Sequence, residues 1–108
     1  MLKTYVFDID NTICVTVGGD YENSKPIYDR IKCINSLYDK GNIIVINTAR
    51  GMGRTSNNVQ EAHNLFYSLT KAQLEGWGLK YHRLFMGKPA GDYYVDDKGV
   101  RDCEFFRD

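Results

Sequence analysis

Neither sign of charge is in excess. Lys and Arg total 14 and Asp and Glu total 14, so the formal net charge is zero. The basic field that carries non-specific nucleic-acid binding is therefore missing. Long apolar runs are missing as well, and no stretch approaches the ~20 residues of a membrane span. No apolar leader with a small-residue cleavage site precedes the first strand-like segment, so a cytoplasmic protein is expected. Histidine is limited to His63 and His82, and neither stands at a zinc spacing. The cysteines, Cys14, Cys33 and Cys103, are odd in number and at no metal-like spacing, which points to free thiols. No Walker lysine motif occurs. Gly51-Met52-Gly53-Arg54 is a fragment of a dinucleotide fingerprint and does not follow the first strand.

What is present suffices for one domain. The 108 residues are 43% hydrophobic and 13% aromatic, enough to bury one core spanning 1–108 and too few for two. Residues 3–8 and the β-branched run 42–47 read as strands, the latter as one covered on both faces. Residues 92–96 form a third candidate strand and 81–85 a weaker fourth. Between them, Ile27, Ile31, Ile34 and Tyr38 make one helical stripe. Ser24 is its expected N-cap, Pro26 lies in its first turn and Gly41 stops it. Ala62, Leu65, Phe66, Leu69 and Ala72 make a second stripe, starting near Ser56 or Asn57. Strands alternating with helices predict an α/β fold: a Rossmann-like three-layer domain around a parallel sheet. Residues 13–23, with Gly18-Gly19, break the rhythm and predict a small hairpin flap after the first strand. No space remains for a cap domain. The 50–88 stretch is consumed by one helix and one strand.

Right-handed crossovers bring all the strand C-termini to one edge, where ligands bind in open sheets. Asp8-Ile9-Asp10, Asn47-Thr48-Ala49-Arg50, Gly87-Lys88 and Asp96-Asp97 fall at that edge in order. Each has an ordinary explanation when taken alone: a turn, a cap, a solvated lysine. Together they gather four carboxylates with a hydroxyl and an ammonium. Carboxylates so placed repel unless a cation neutralises them, and a hard divalent ion such as Mg²⁺ suits oxygen donors. The hydroxyl and the ammonium suit phosphoryl oxygens.

Residues 7–13, Phe-Asp-Ile-Asp-Asn-Thr-Ile, resemble the first motif of the haloacid dehalogenase superfamily of phosphatases. Residues 46–50 resemble the second motif, Lys88 the third and residues 95–97 the acidic fourth. The Asn-Thr-Ala-Arg-Gly-Met, Gly-Lys-Pro and Tyr-Tyr-Val-Asp-Asp-Lys-Gly-Val-Arg segments resemble a cap-less group of capsule-biosynthesis phosphatases. The resemblance implies a Mg²⁺-dependent phosphomonoester hydrolase acting on a small phosphorylated metabolite, such as a sugar phosphate. Asp8 would be the nucleophile, forming an aspartyl-phosphate, and Asp10 the acid and base. Thr48, Ala49, Arg50 and Lys88 would bind phosphate or a second anionic group. Mg²⁺ would sit among Asp8, the carbonyl of Asp10 and the last acidic pair, with Asp97 as ligand and Asp96 beside it. Without a cap, a partner subunit (a second copy of the chain) or the substrate itself would close the site. Two alternatives stand beside this reading. One is a non-catalytic relative that binds a phosphosugar or a partner. The other is a receiver-type phosphoacceptor domain, disfavoured because the strand ending at Asn47 carries no aspartate.

Overall fold

The computed structural model describes residues 1–107. β1 (Thr4–Phe7) leads into a short antiparallel hairpin of β2 (Cys14–Val15) and β3 (Lys25–Pro26). Then come α1 (Tyr28–Asp39), β4 (Ile43–Thr48), α2 (Val59–Gly76), β5 (Arg83–Met86) and a short α3 (Asp102–Phe106). β1, β4 and β5 form one parallel sheet in that order, with Phe7 opposite Ile46 and Thr48 opposite Met86. The fold is the α/β, Rossmann-like parallel domain that the alternation predicts, with the flap after the first strand and no cap domain.

The core gathers on one face of the sheet. Ile44 and Ile46 of β4, Phe7 of β1, Ile31 and Ile34 of α1 and Leu74 of α2 form a single buried cluster. Both crossovers step across the sheet in the same direction, so their shared right hand carries α1 and α2 to the same side. On the opposite face Val6, Ile43 and Phe85 keep 61%, 47% and 48% of their surface exposed. The covering of both faces expected from the β4 run is therefore complete only on the side of Ile44 and Ile46.

The elements end where local chemistry stops them. The last turn of α1 gives way to Gly41 at φ +94°, a conformation that glycine adopts without Cβ strain. Asn42 then donates to the carbonyl of Leu37 and accepts from the amide of Lys3, tying the end of α1 to the start of β1. The N-cap of α2 is Asn58, whose side chain accepts from the Glu61 amide at 3.0 Å. Ser56 and Asn57, the expected starts, instead turn the chain at positive φ. Ser24 does not cap α1. It precedes β3, Pro26 pairs with Cys14, and Ile27 occupies the N-cap position.

One further expectation is corrected. Residues 92–96 form no strand, which leaves β1 at the sheet edge. Neither Tyr93 nor Tyr94 enters the core, since they are 89% and 55% exposed. The Tyr94 hydroxyl instead donates to the Pro89 carbonyl and accepts from the Gly91 amide, curling the segment on itself. The weaker candidate strand, by contrast, is real as β5. The C-terminal aromatics pack on the sheet. Phe105 lies 5.5 Å from Phe7 and 5.9 Å from Tyr5, edge to face. Arg30 of α1 reaches Asp102 at 2.6 Å, clipping α3 down beside the core. Cys14, Cys33 and Cys103 are free thiols. The two histidines serve packing. His63 stacks on Tyr67, and His82 stacks on Tyr38 while its Nδ1 accepts from the Ile44 amide.

Candidate active site

Asp8 follows directly on β1, at the C-terminal end of the parallel strands. Immediately beyond it the chain turns. The amides of Thr12 and Ile13 both donate to the carbonyl of Ile9, and Asn11 takes φ +62°, a region that asparagine tolerates. Ile9 is fully buried and anchors this turn, leaving Asp8 and Asp10 half-buried on its open side. Thr12 donates to Oδ2 of Asp8 at 3.2 Å, and the Lys88 ammonium stands 3.9 Å from Oδ1. Burial pushes the Asp8 carboxyl above its ordinary range, outweighing the nearby Lys88 charge.

Lys88 is positioned from two directions. Its amide and that of Gly87 both donate to the carbonyl of Thr48, hooking the loop after β5 onto the end of β4. Its ammonium lies 4.4 Å from the centroid of the Tyr94 ring. Gly87 has φ +100°, and a Cβ there would lie 2.7 Å from Cγ1 of Val59, so only glycine lets the loop pass this close to α2.

A recess of about 300 Å³ opens over these groups. Asp8, Asp10, Ala49 and Lys88 line it, together with Thr16, Gly18, Gly19 and Tyr21 of the flap. Asp8, Asp10, Ala49 and Lys88 are thus brought together as the sequence predicts. The flap residues Thr16 and Tyr21 and the aromatic Tyr94 were not singled out for the site. The signal for the first two was the hairpin itself, which has to lie over whatever follows β1.

Thr48, Arg50, Asp96 and Asp97 stand elsewhere. Thr48 is fully buried, its hydroxyl accepting from the Arg50 amide at 3.1 Å, so it works as a turn cap inside the rim. Arg50 is also buried, with its side chain 0% exposed, and it faces protein groups instead of solvent. Its Nε donates to both carboxylate oxygens of Asp10, at 3.2 and 3.0 Å, and its Nη2 to Oδ1 at 3.0 Å. Nη1 is taken by Gln73 and Thr70 of α2. An arginine so enclosed has no access to a substrate anion, and the expectation that it binds one is corrected. Asp96 accepts from the amides of Lys98 and Gly99, which hold its carboxyl below the usual range. Asp97 is 85% exposed and pairs with Lys98. With no strand over 92–96 to deliver them, the two form a surface turn, and neither lines the recess. Among the described residues no group of three or more His, Cys, Asp or Glu side chains converges as a metal site.

The whole chain is similar to a known fold. A crystal structure of a target protein from Vibrio cholerae superposes with a TM-score of 0.89 at 30% sequence identity, covering 97% of this chain and 88% of that one. No family model and no curated protein matches the chain.

Proposed function

We propose that this chain, which belongs to one family with the Vibrio cholerae protein, is a Mg²⁺-dependent phosphomonoester hydrolase. In this reading it is a cap-less member of the haloacid dehalogenase superfamily. Its substrate is a small phosphorylated metabolite such as a sugar phosphate of capsule polysaccharide synthesis. The observation that carries the reading is the convergence of Asp8, Asp10 and Lys88 in one recess at the C-terminal edge of a parallel sheet.

Oδ1 of Asp8 attacks phosphorus while Thr12 holds Oδ2, forming an aspartyl-phosphate as the ester P–O bond breaks. Asp10 gives a proton to the leaving oxygen and then takes one from the water that hydrolyses the acyl phosphate. The Lys88 ammonium would meet the phosphoryl oxygens, and Ala49 lines the same recess. The donor set suits Mg²⁺ in part. The ion typically takes one or two carboxylates and leaves its other positions to water and phosphate, and the half-buried Asp8 carboxylate with the Asp10 carbonyl would be its protein donors here. The ion would supply positive charge to the phosphoryl oxygens. Asp97 joins these donors only if residues 92–97 leave the turn they form here. The open side of the recess would be closed by the substrate or by a second copy of the chain.

The test is a screen of metabolite phosphates with Mg²⁺ and after exhaustive chelation. Turnover that needs Mg²⁺ is expected. Turnover that survives chelation, or none across the panel, overturns the reading. One observation favours a second reading, that of a non-catalytic phosphosugar-binding protein: both Asp10 oxygens are already engaged by Arg50. Binding of sugar phosphates without turnover would select it.

A further inference from the structure

Arg50 makes six side-chain hydrogen bonds, and nothing in the proposed chemistry uses it. Its guanidinium bridges three separate parts of the chain. Toward the rim it forks onto Asp10 through Nε and Nη2. Toward α2 its Nη1 donates to Gln73 at 2.6 Å and Thr70 at 3.2 Å. Toward the flap its Nη2 reaches Ser24 at 3.4 Å, and its Cζ lies 4.9 Å from the centroid of the Tyr21 ring.

The flap is tied to the same centre by a second layer of bonds. Thr16 donates to Oδ1 of Asp10 at 2.6 Å and lies 2.6 Å from the Ser24 hydroxyl. Gln73 donates onward to the Tyr21 carbonyl at 2.6 Å, and the Tyr21 hydroxyl accepts from the Gly51 amide, one residue past Arg50. Every one of these flap contacts leads to Arg50 or to a group that Arg50 touches. Thr16 and Tyr21 also line the recess.

The four donors on Asp10 are unequally shared. Oδ1 takes Nε, Nη2, Thr16 and, at 3.8 Å, the Cys14 thiol, whereas Oδ2 takes Nε alone. The fork therefore does more than neutralise. It fixes the carboxylate plane and leaves Oδ2 as the oxygen with capacity for another partner.

We propose that Arg50 is the positioning residue of this site, locking the Asp10 carboxylate and the flap into one unit so that Oδ2 faces the recess only when the flap is seated. The proposal rests on the reading of Asp10 as the acid and base, and it assigns Arg50 no contact with substrate. The chemistry needs such a device because a misplaced proton donor of about 1 Å can cost on the order of 10²-fold in rate. A planar fork defines orientation where a lysine's point charge cannot.

The experiment compares the wild-type protein with Arg50→Lys, which keeps the charge and loses the fork, and with Gln73→Ala, which removes the α2 anchor from a half-buried position. Three quantities are read: backbone amide exchange over residues 16–24, affinity for inorganic phosphate, and kcat and KM on an aryl phosphate. In both variants, flap exchange is expected to rise by about tenfold or more while the amides of α1 stay protected. Phosphate affinity and KM should stay within about twofold while kcat falls by roughly 10- to 100-fold. Unchanged flap exchange would overturn the proposal. So would a phosphate affinity that falls in step with kcat, which would make Arg50 a substrate ligand after all. A wild-type protein that hydrolyses no phosphate ester defeats the proposed function, and the exchange measurement still decides this inference. If Arg50→Lys does not fold, Gln73→Ala alone carries the same three readouts.

Discussion

Asp8 is where stability and chemistry pull apart. A carboxyl whose value is raised in the folded state contributes stability only below its unfolded value of 3.8 and loses that contribution as pH climbs through its folded value. Above that folded value the ionised form of the half-buried Asp8 is therefore a net cost. Asp8→Asn keeps the shape and removes the charge. It should abolish turnover while raising the melting temperature at pH 7 by roughly 2–5 °C. Calorimetry and a phosphatase assay on the same preparation check both halves. Added Mg²⁺ should raise the melting temperature of the wild type and leave that of Asp8→Asn unmoved, since a ligand stabilises only the state that binds it. Asp8, Asp10 and Lys88 were legible because the alternation of strands and helices places the strand ends at one ligand edge, and Ala49 through the family resemblance; the same placement failed for Asp96 and Asp97, whose strand does not form. Arg50 and Thr48 were misassigned because burial is a long-range property. The groups that enclose the Arg50 guanidinium, Thr70 and Gln73, lie twenty and more residues downstream on α2.

Among the elements, the junction of β5 with α2 sets the height of Lys88. Gly87 holds φ +100° against Val59, a branched side chain with little rotamer freedom to yield. Gly87→Ala should destabilise the protein by about 1–3 kcal/mol and weaken phosphate binding by displacing Lys88. Adding Val59→Ala should restore the steric share and leave the dihedral share, so the double variant should fall between the two. Denaturant midpoints and phosphate affinity measure this together. The same contest between local and distant partners explains which elements were legible. The stripes of α1 and α2 and the run of β4 carry their own periodicity. The segment 24–26 has the signature of a helix start, yet β2 takes it as a strand partner and the Ser24 hydroxyl is drawn to Thr16 and Arg50. In 92–96 the apolar run is only three residues long, and the Tyr94 hydroxyl bonds its own loop. Pairing, which sequence does not supply, decides such short strands.

Over the molecule as a whole, the C-terminal helix is held by the Arg30–Asp102 ion pair, by three ring contacts to Tyr5 and Phe7 and by Arg30 over the Phe106 ring, and the Asp102 carboxyl makes the ion pair respond to pH. Hydrogen bonding from Arg30 holds the Asp102 carboxyl below its ordinary value of 3.8. A depressed carboxyl contributes stability above its unfolded value and loses it as pH falls through the folded one. The wild type should therefore lose a component of stability on acidification that Asp102→Asn lacks. For a carboxylate this exposed the component should be no more than ~1 kcal/mol. Urea midpoints of both proteins at pH 7 and pH 3 check it. The uneven sheet has a consequence of a different kind, in how the protein behaves in bulk. Val6, Ile43 and Phe85 present apolar surface on a sheet whose β1 edge is unpaired, and the chain carries no net charge to hold copies apart. With a pI near 6.7, colloidal repulsion vanishes close to neutral pH. Light scattering against pH should show its weakest repulsion there. Concentrated stocks should keep best one or two units to either side, and a single Val6→Lys, which puts a like charge on every copy at that edge, should widen the usable range.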